Sequence, residues 1–269
     1  MKATVIISFY EKFEYLKLVL AGLERQSFQN FEIVIADDGS KQETVTKIEE
    51  FASNFSIDII HVWHEDKGFR KNKILNRAIK VANSDYLIFI DGDCVPHKHF
   101  VKEHFENKNC ETTLTGRRVN LSLKLTSRLT PHKIREGYLD NHFLQLSLDG
   151  ILGKTSYVEK GVYLKSNYLR KIVNKKKRGL LGCNFSIHKK DFLDINGFDE
   201  RYEAPSIGED SDVQFRLELN GVTIKSLNNI AVQYHLYHKL LPRPQENLDL
   251  FKKVKQEKNA FTKFGIIKK

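Results

Sequence analysis

The first hundred residues alternate short apolar runs with segments that place apolar side chains at helical spacing. The apolar runs cover residues 4–9, 31–36, 57–62 and 86–90, and the helical patterns cover residues 13–26, a stretch following Ser40, and residues 71–81. Short continuous apolar runs are typical of buried strands. The alternation predicts an α/β fold with a mostly parallel, Rossmann-like central sheet and helices on both faces.

Each predicted strand runs into a polar cluster, at residues 8–11, 37–40, 64–70 and 91–93. In open parallel α/β sheets, ligands bind beyond the carboxyl ends of the strands. The clusters therefore predict one ligand-binding crevice at that edge of the sheet. Ser40 is the expected N-cap of the second helix.

The pattern becomes less regular after about residue 110. The elements expected there are a strand over 112–121, a helix over 134–148, a strand over 180–187, a helix after Gly208, a strand over 230–237 and a Lys-rich amphipathic helix from Gln245. No internal repeat or Pro/Gly/Ser linker divides the sequence. We expect one domain over 1–269, with a first half at 1–109, a second half at 110–244 and a basic C-terminal helix at 245–269.

The composition is that of a globular protein, with 41% hydrophobic residues and only 5 Pro among 269. The apolar runs are far shorter than the roughly 18 residues of a membrane span, and the N-terminus does not follow the pattern of a secretory signal. Three widely spaced cysteines do not suggest a disulfide framework. We therefore expect a cytoplasmic location. The net charge of +10 would suit nucleic acid, an anionic membrane surface or a phosphorylated small molecule.

Two carboxylates, Asp91 and Asp93, directly follow the fourth predicted strand with a glycine between them. Hard oxygen ligands in this arrangement suit Mg²⁺ or Mn²⁺ bound together with a diphosphate. Asp38 follows the second strand, where its carboxylate can accept a hydrogen bond from a nucleobase. A basic cluster that includes Arg70 lies near a helix start, which favours an anion. Ordinary turns and a solvated helix start are the alternatives at these positions.

In the second half, Glu209 and Asp210 begin a predicted helix, and His235 and His238 lie on a predicted strand. A carboxylate can act as a general base when it reaches an attacking hydroxyl, although acidic residues in a first helical turn are often only dipole partners. The imidazoles can complete a metal site made otherwise of carboxylates, or they can be ordinary packed histidines.

Taken together, these motifs resemble GT-A glycosyltransferases of family 2, with a C-terminal segment similar to that of galactosyltransferases. The resemblance runs in order from about residue 3 to 244. In the first half it lies at residues 5–10, 26–28, 31–35, 37–40, 68–70 and 91–93. In the second half it lies at residues 182–186, 197–200, 208–210 and 235–238.

The resemblance implies roles for individual residues. The donor nucleotide sugar would be bound by Ser8, Tyr10, Asp38, Arg70, Asp91 and Asp93, with Asp38 as partner of the uracil ring. Asp93 and His235 would hold Mn²⁺ or Mg²⁺, with Asp91 and His238 as further candidates. Asp210 would be the catalytic base, and its neighbour Glu209 would contact the donor or acceptor sugar.

The activity implied is that of an inverting, metal-dependent transferase. It would move a hexose or N-acetylhexosamine from a UDP-sugar to a hydroxyl of a glycan or lipid-linked glycan, in surface polysaccharide or lipopolysaccharide synthesis. A sugar-phosphate nucleotidyltransferase is the first alternative, but it would need a Gly-rich loop where the sequence has Ser8 to Glu11. A basic, non-enzymatic protein that binds nucleic acid or another polyanion is the second, but carboxylates at the strand ends would repel a phosphate backbone. We expect no nucleic-acid partner.

Much of the positive charge lies away from these motifs, in the 165–178 region and on the C-terminal helix. An amphipathic helix of this kind can bind reversibly to an anionic membrane. We therefore expect the C-terminal helix, through Leu248, Phe251, Val254 and Phe261, to be a candidate contact with the inner face of the cell membrane. Plain solubility is the alternative explanation.

Overall fold

The computed structural model describes residues 2–205, 208–239 and 244–268. The strands are β1 Ala3–Phe9, β2 Phe31–Asp37, β3 Ile59–Trp63, β4 Tyr86–Asp91, β5 Cys94–Pro96, β6 Thr112–Thr115, β7 Arg117–Asn120, β8 Asn184–His188, β9 Thr223–Ser226 and β10 Val232–His235. The helices are α1 Phe13–Glu24, α2 Gln42–Ser53, α3 Lys71–Val81, α4 Phe100–Glu106, α5 Leu123–Thr126, α6 Pro131–Arg135, α7 Tyr138–Asn141, α8 Phe143–Ile151, α9 Asn167–Val173, α10 Lys189–Asp194, α11 Glu209–Leu219 and α12 Gln245–Glu257, with a 3-10 helix at Val158–Gly161.

Within the described residues, seven strands form a central sheet in the order β3-β2-β1-β4-β8-β6-β9. Strand β8 is antiparallel to both of its neighbours, and the other pairings are parallel. A smaller sheet has the order β5-β10-β7. The mostly parallel α/β fold expected from the sequence is confirmed.

The core lies on both faces of the central sheet. Alternate side chains of β1 point to opposite faces, so Val5 belongs to the buried cluster that includes Leu16 of α1, whereas Ile6 belongs to the cluster that includes Ile74 of α3. The helices therefore cover the sheet from both sides, as predicted.

Three sequence-based expectations for individual elements were wrong. The single strand expected over 112–121 is two strands, because β6 pairs within the large sheet whereas β7 pairs with β10 of the small one. The helix expected over 134–148 is broken at Gly137, whose φ of +79° is outside the helical region. Ser40 does not cap α2, because its hydroxyl accepts a hydrogen bond from the backbone N–H of Glu11.

The C-terminal helix begins at Gln245, as expected, and the preceding residues 240–243 lie outside the described part of the chain. It ends at Glu257, where the following Lys258 has a φ of +46°, so the helix expected over 245–269 is too long and Phe261 lies beyond it. Its Phe251 packs edge-on against Phe215 of α11, with 6.3 Å between the ring centroids, and its Val254 is buried. The chain then returns to the core, where Asn196 donates hydrogen bonds to the carbonyls of Thr262 and Ile267. Most of the apolar face of α12 therefore lies against the protein.

No helix formed by the described residues is both long enough and apolar enough to cross a membrane.

Candidate active site

A cavity of about 580 Å³ opens at the carboxyl ends of β1, β2 and β4. Its lining includes five of the six donor-site residues expected from the sequence, namely Ser8, Tyr10, Asp38, Asp91 and Asp93. These residues are far apart in the sequence but come together because parallel neighbouring strands end at the same edge.

Asp91 lies directly beside Ser8, because β1 and β4 pair in parallel register. The Ser8 hydroxyl donates to Asp91 Oδ1 at 2.6 Å, and the ammonium of Lys71 lies 3.0 Å from the same oxygen. Burial lowers the pKa of Lys71, but the carboxylates of Asp91 and Glu209 outweigh that effect and raise it well above its ordinary value. The cavity therefore contains a fixed positive charge.

Asp38 is buried and held by two partners. Its Oδ1 lies 2.8 Å from His64 Nε2, and its Oδ2 accepts a hydrogen bond from the backbone N–H of Arg70 at 2.8 Å. Burial raises the pKa of Asp38 and lowers that of His64. Each carboxylate oxygen can accept a further hydrogen bond, so Asp38 remains able to contact a ligand.

The guanidinium of Arg70 points to the backbone rather than into the cavity. It donates to the carbonyl of Glu65, and Arg70 is absent from the cavity lining formed by the described residues. The next residue, Lys71, lies in the lining instead, as do Lys12 and Lys239. Tyr10 lies at the rim, half exposed, and its hydroxyl donates to Asp66 Oδ2 at 3.1 Å.

The second carboxylate, Asp93, is brought together with two histidines by the small sheet. Strand β5 begins directly after Asp93 and pairs antiparallel with β10, which places His235 opposite Cys94. The turn between the two carboxylates passes so close to β1 that a Cβ atom at Gly92 would lie 3.1 Å from the Ser8 carbonyl. A larger residue at position 92 would therefore crowd β1.

The ligand atoms of Asp93, His235 and His238 all lie within 4.8 Å of one another. Asp93 Oδ1 is 3.6 Å from His235 Nε2, and Asp93 Oδ2 is 3.3 Å from His238 Nε2. Burial alone would raise the pKa of Asp93, but the two imidazoles hold it at about 2. Burial lowers the pKa of His235 to about 4, so this ring is neutral near pH 7 and keeps a lone pair.

Glu209 and Asp210 form the first turn of α11. Asp210 Oδ2 accepts a long hydrogen bond, 3.4 Å, from the backbone N–H of Gly182, which joins two of the segments that carry the resemblance, 182–186 and 208–210. Burial raises the pKa of Glu209, and its Oε2 is buried without a hydrogen-bond partner among the described residues. Glu209 and Asp210 are absent from the cavity lining formed by the described residues, but the charge of Lys71, which does line the cavity, opposes the rise in the pKa of Glu209.

Lys71 and Arg118 are further charged residues that act on the site. Lys71 was part of the basic cluster at the third helix, and its position as first residue of that helix was the available signal. Arg118 donates to Cys183 Sγ at 3.2 Å, and its charge helps to lower the pKa of Asp93. From the sequence, Arg118 is a candidate partner of a diphosphate only as an alternative to its neighbour Arg117.

A family profile described as "Glycosyl transferase family 2" matches residues 4–150, more than half of the chain. The chain belongs to glycosyl transferase family 2. A second profile, described as "N-terminal domain of galactosyltransferase", matches residues 170–239 of this family 2 chain. Both parts of the resemblance seen in the sequence are thereby confirmed.

Among curated relatives, the family 2 chain is 27% identical over 262 residues to the uncharacterized glycosyltransferase YfnE of Bacillus subtilis, covering 88% of this chain and 65% of YfnE. It is 24% identical over 243 residues to a chondroitin synthase of Escherichia coli, covering 86% of this chain and 34% of that enzyme. The family 2 chain thus spans less than two thirds of the length of these relatives.

Solved structures share the fold. GalNAc-T7, solved with UDP, GalNAc and Mn²⁺, superposes with a TM-score of 0.63 at 14% identity, covering 95% of this chain and 48% of that one. A fragment of TarS from S. aureus in complex with UDP superposes with a TM-score of 0.56 at 19% identity, covering 96% of this chain and 65% of that one. The family 2 chain therefore has the GT-A glycosyltransferase fold.

Proposed function

We propose that this chain is an inverting, metal-dependent glycosyltransferase. It transfers a hexose or N-acetylhexosamine from a UDP-sugar to a hydroxyl of a glycan or lipid-linked glycan, in the synthesis of a surface polysaccharide or lipopolysaccharide. Residues 1–109 form the half that binds the donor, and residues 110–244 form the half that binds the acceptor and carries the catalytic residues. Residues 245–269 form a basic C-terminal segment. The proposed location is the cytoplasm, at the inner face of the cell membrane.

The proposal rests on the set of side chains that the cavity brings together. The cavity at the strand ends has a carboxylate–imidazole cluster of Asp93, His235 and His238 on one side and the ammonium of Lys71 on another. A nucleoside diphosphate needs both a divalent cation and positive charge around its phosphates. Asp38 lines the same cavity, where its carboxylate can accept a hydrogen bond from a uracil ring.

The residues of the cluster fit a divalent metal ion. They offer one carboxylate and two imidazole nitrogens close together, and His235 is neutral near pH 7. Imidazole nitrogen suits transition metals, whereas Mg²⁺ prefers oxygen ligands, so this donor set favours Mn²⁺ over Mg²⁺. When bound, the ion would offset charge on the diphosphate of the donor. Asp93 and His235 would hold it, with His238 as a further ligand.

The chain's own groups perform the remaining chemistry. An acceptor hydroxyl is a weak nucleophile, so Asp210 takes its proton as the bond between the sugar C1 and the diphosphate breaks. Glu209, beside it, contacts the donor or acceptor sugar. Lys71 stabilises the negative charge that accumulates on the leaving diphosphate. Attack from the face opposite the leaving group inverts the anomeric centre.

The relatives support the choice of donor. The TarS fragment was solved both with UDP and with UDP-GlcNAc, and GalNAc-T7 with UDP and Mn²⁺. Chondroitin synthase and a poly(ribitol-phosphate) N-acetylglucosaminyltransferase are among the curated relatives. We transfer to this chain the coarse features that these proteins suggest, namely a UDP-sugar and a surface-glycan product.

The experiment that tests the proposal is a donor-hydrolysis screen with UDP- and GDP-sugars in the presence of Mn²⁺. We expect UDP release from one or a few UDP-sugars and none after chelation with EDTA. Hydrolysis of GDP-sugars alone would contradict the assignment of Asp38, and activity that is unchanged by EDTA would contradict the metal assignment.

A further inference from the structure

The net positive charge of the chain is concentrated in one segment. Residues 122–178 contain thirteen Lys and Arg against four Asp and Glu, which is a net +9 out of the chain's +10. This segment contributes none of the residues proposed above for donor binding or catalysis. Its charge therefore needs a separate explanation.

The same segment exposes an apolar helix face. Among the described residues, the four most exposed Leu, Ile and Val side chains are Leu144, Leu148, Ile151 and Leu152, at 64% to 82% exposure. Their spacing of four, three and one residues places them on one face of α8 and its C-terminal end. Leu146 of the same helix points inward and is buried.

Cationic side chains lie near both ends of this face. Lys154 is exposed and follows Leu152 by two residues. At the other end of α8, Phe143 lines a cavity together with Lys98 and Lys165, so the start of α8 is close to the segment that leads into α9. Helix α9 is itself partly apolar, with Tyr168 exposed, and a run of lysines at 175–177 follows it.

We propose that the α8 face, defined as Leu144, Leu148, Ile151 and Leu152 with the cations around it, docks on an anionic lipid bilayer. Exposed apolar side chains with lysines near both ends match the lipid interface, where the apolar groups insert and the ammonium groups meet anionic headgroups. The inference deepens the proposed function, because it rests on the proposal that the chain works at the inner face of a membrane. It replaces the C-terminal helix as the main contact.

Two features favour a lipid bilayer over a second copy of the chain, and α8 over α12 as the contact surface. A second copy of the chain would bring the same cations, Lys154 among them, against the α8 face and be repelled, whereas an anionic surface attracts them. Helix α12 has fewer apolar groups to insert, because Val254 is buried and Phe251 packs on Phe215.

The test is co-sedimentation with vesicles of mixed phosphatidylglycerol and phosphatidylcholine, with pure phosphatidylcholine vesicles as the neutral reference. The variant is Leu148→Glu with Ile151→Glu. The matched control is Val81→Glu with Leu193→Glu, which makes the same charge change at exposed positions at the ends of α3 and α10. A third variant changes Lys252, Lys253 and Lys255 of α12 to Gln.

We expect the wild-type chain to bind the anionic vesicles and not the neutral ones. The α8 variant should bind them at least about tenfold more weakly, because two apolar side chains no longer insert. The matched control and the α12 variant should retain most of the binding. Raised salt should weaken binding in every case.

Four results would overturn the inference: no vesicle binding by the wild-type chain, equal binding by the α8 variant and wild type, an equal loss in the matched control, or a loss only in the α12 variant. Absence of vesicle binding together with an α8 variant that dissociates a dimer would identify a second copy as the occupant instead. UDP affinity, measured on the same samples, separates the two proposals. Intact UDP binding without vesicle binding refutes only the membrane contact, and the reverse refutes only the donor site.

Discussion

Replacing Lys71 by Met tests whether the buried ammonium in the cavity binds the donor diphosphate. The substitution keeps the length of the side chain and removes the charge 3.0 Å from Asp91 Oδ1. An ammonium has three donors, so Lys71 can hold Asp91 and a phosphate oxygen at the same time. A hydrogen bond between charged groups contributes about 1.5–3 kcal/mol, which corresponds to roughly 10- to 150-fold in UDP affinity.

The assay is calorimetric titration of UDP in the presence of Mn²⁺, followed by turnover of the donor sugar. Lys73→Met is the matched control, because it makes the same charge change on the same helix at a residue outside the cavity lining. Lys71→Arg retains the charge and should retain part of the affinity. If Lys71→Met and Lys73→Met bind UDP equally well, Lys71 is only a structural partner of Asp91 and the reasoning fails.

Three further predictions concern the base, the helix that carries it and the pH dependence of stability. Asp210→Asn should lower turnover at least about a hundredfold and leave UDP affinity nearly unchanged, as measured by donor assay and calorimetry. Arg216→Met should lower the free energy of unfolding in urea by about 3–5 kcal/mol, because it leaves the buried Asp212 without its partner at 2.6 Å. Stability should fall as the pH is lowered from 6.5 towards 4, since burial lowers the pKa of His104 to about 4. The unfolded chain then binds more protons, so His104→Gln should show a shallower pH dependence.

For each of these three predictions, one result would contradict the proposed reason. Loss of UDP binding in Asp210→Asn would mean that Asp210 binds the donor instead of activating the acceptor. A double variant, Arg216→Met with Asp212→Leu, should recover part of the lost stability, and no recovery would argue against an uncompensated charge as the cause. A pH profile of His104→Gln parallel to that of the wild type would assign the acid sensitivity to other groups.

The first half of the fold could be predicted from the sequence because its strands are continuous apolar runs that end in polar clusters. Ser8 and Asp91 were expected at the same edge, and the parallel register of β1 and β4 places them side by side. The second half was harder to predict, because its strands contain only four or five residues and are divided between two sheets. A short strand gives no local signal of the sheet to which it belongs.

The site could be predicted from the sequence where its functional residues are close neighbours along the chain. The two carboxylates after β4 are such a case. The pairing of Asp93 with His235 depends on β5 lying against β10, a contact across about half of the chain that periodicity does not reveal. The direction of the Arg70 side chain was also not predictable, because adjacent residues at a helix start point in different directions.

Calorimetric titration of UDP with and without Mn²⁺ tests the central claim most directly. We expect micromolar affinity in the presence of the ion and a loss of at least about tenfold after chelation, because the cluster of Asp93, His235 and His238 would hold the cation that the diphosphate needs. UDP binding that is equally tight after chelation would contradict the metal site, and no UDP binding under either condition would contradict the donor site itself.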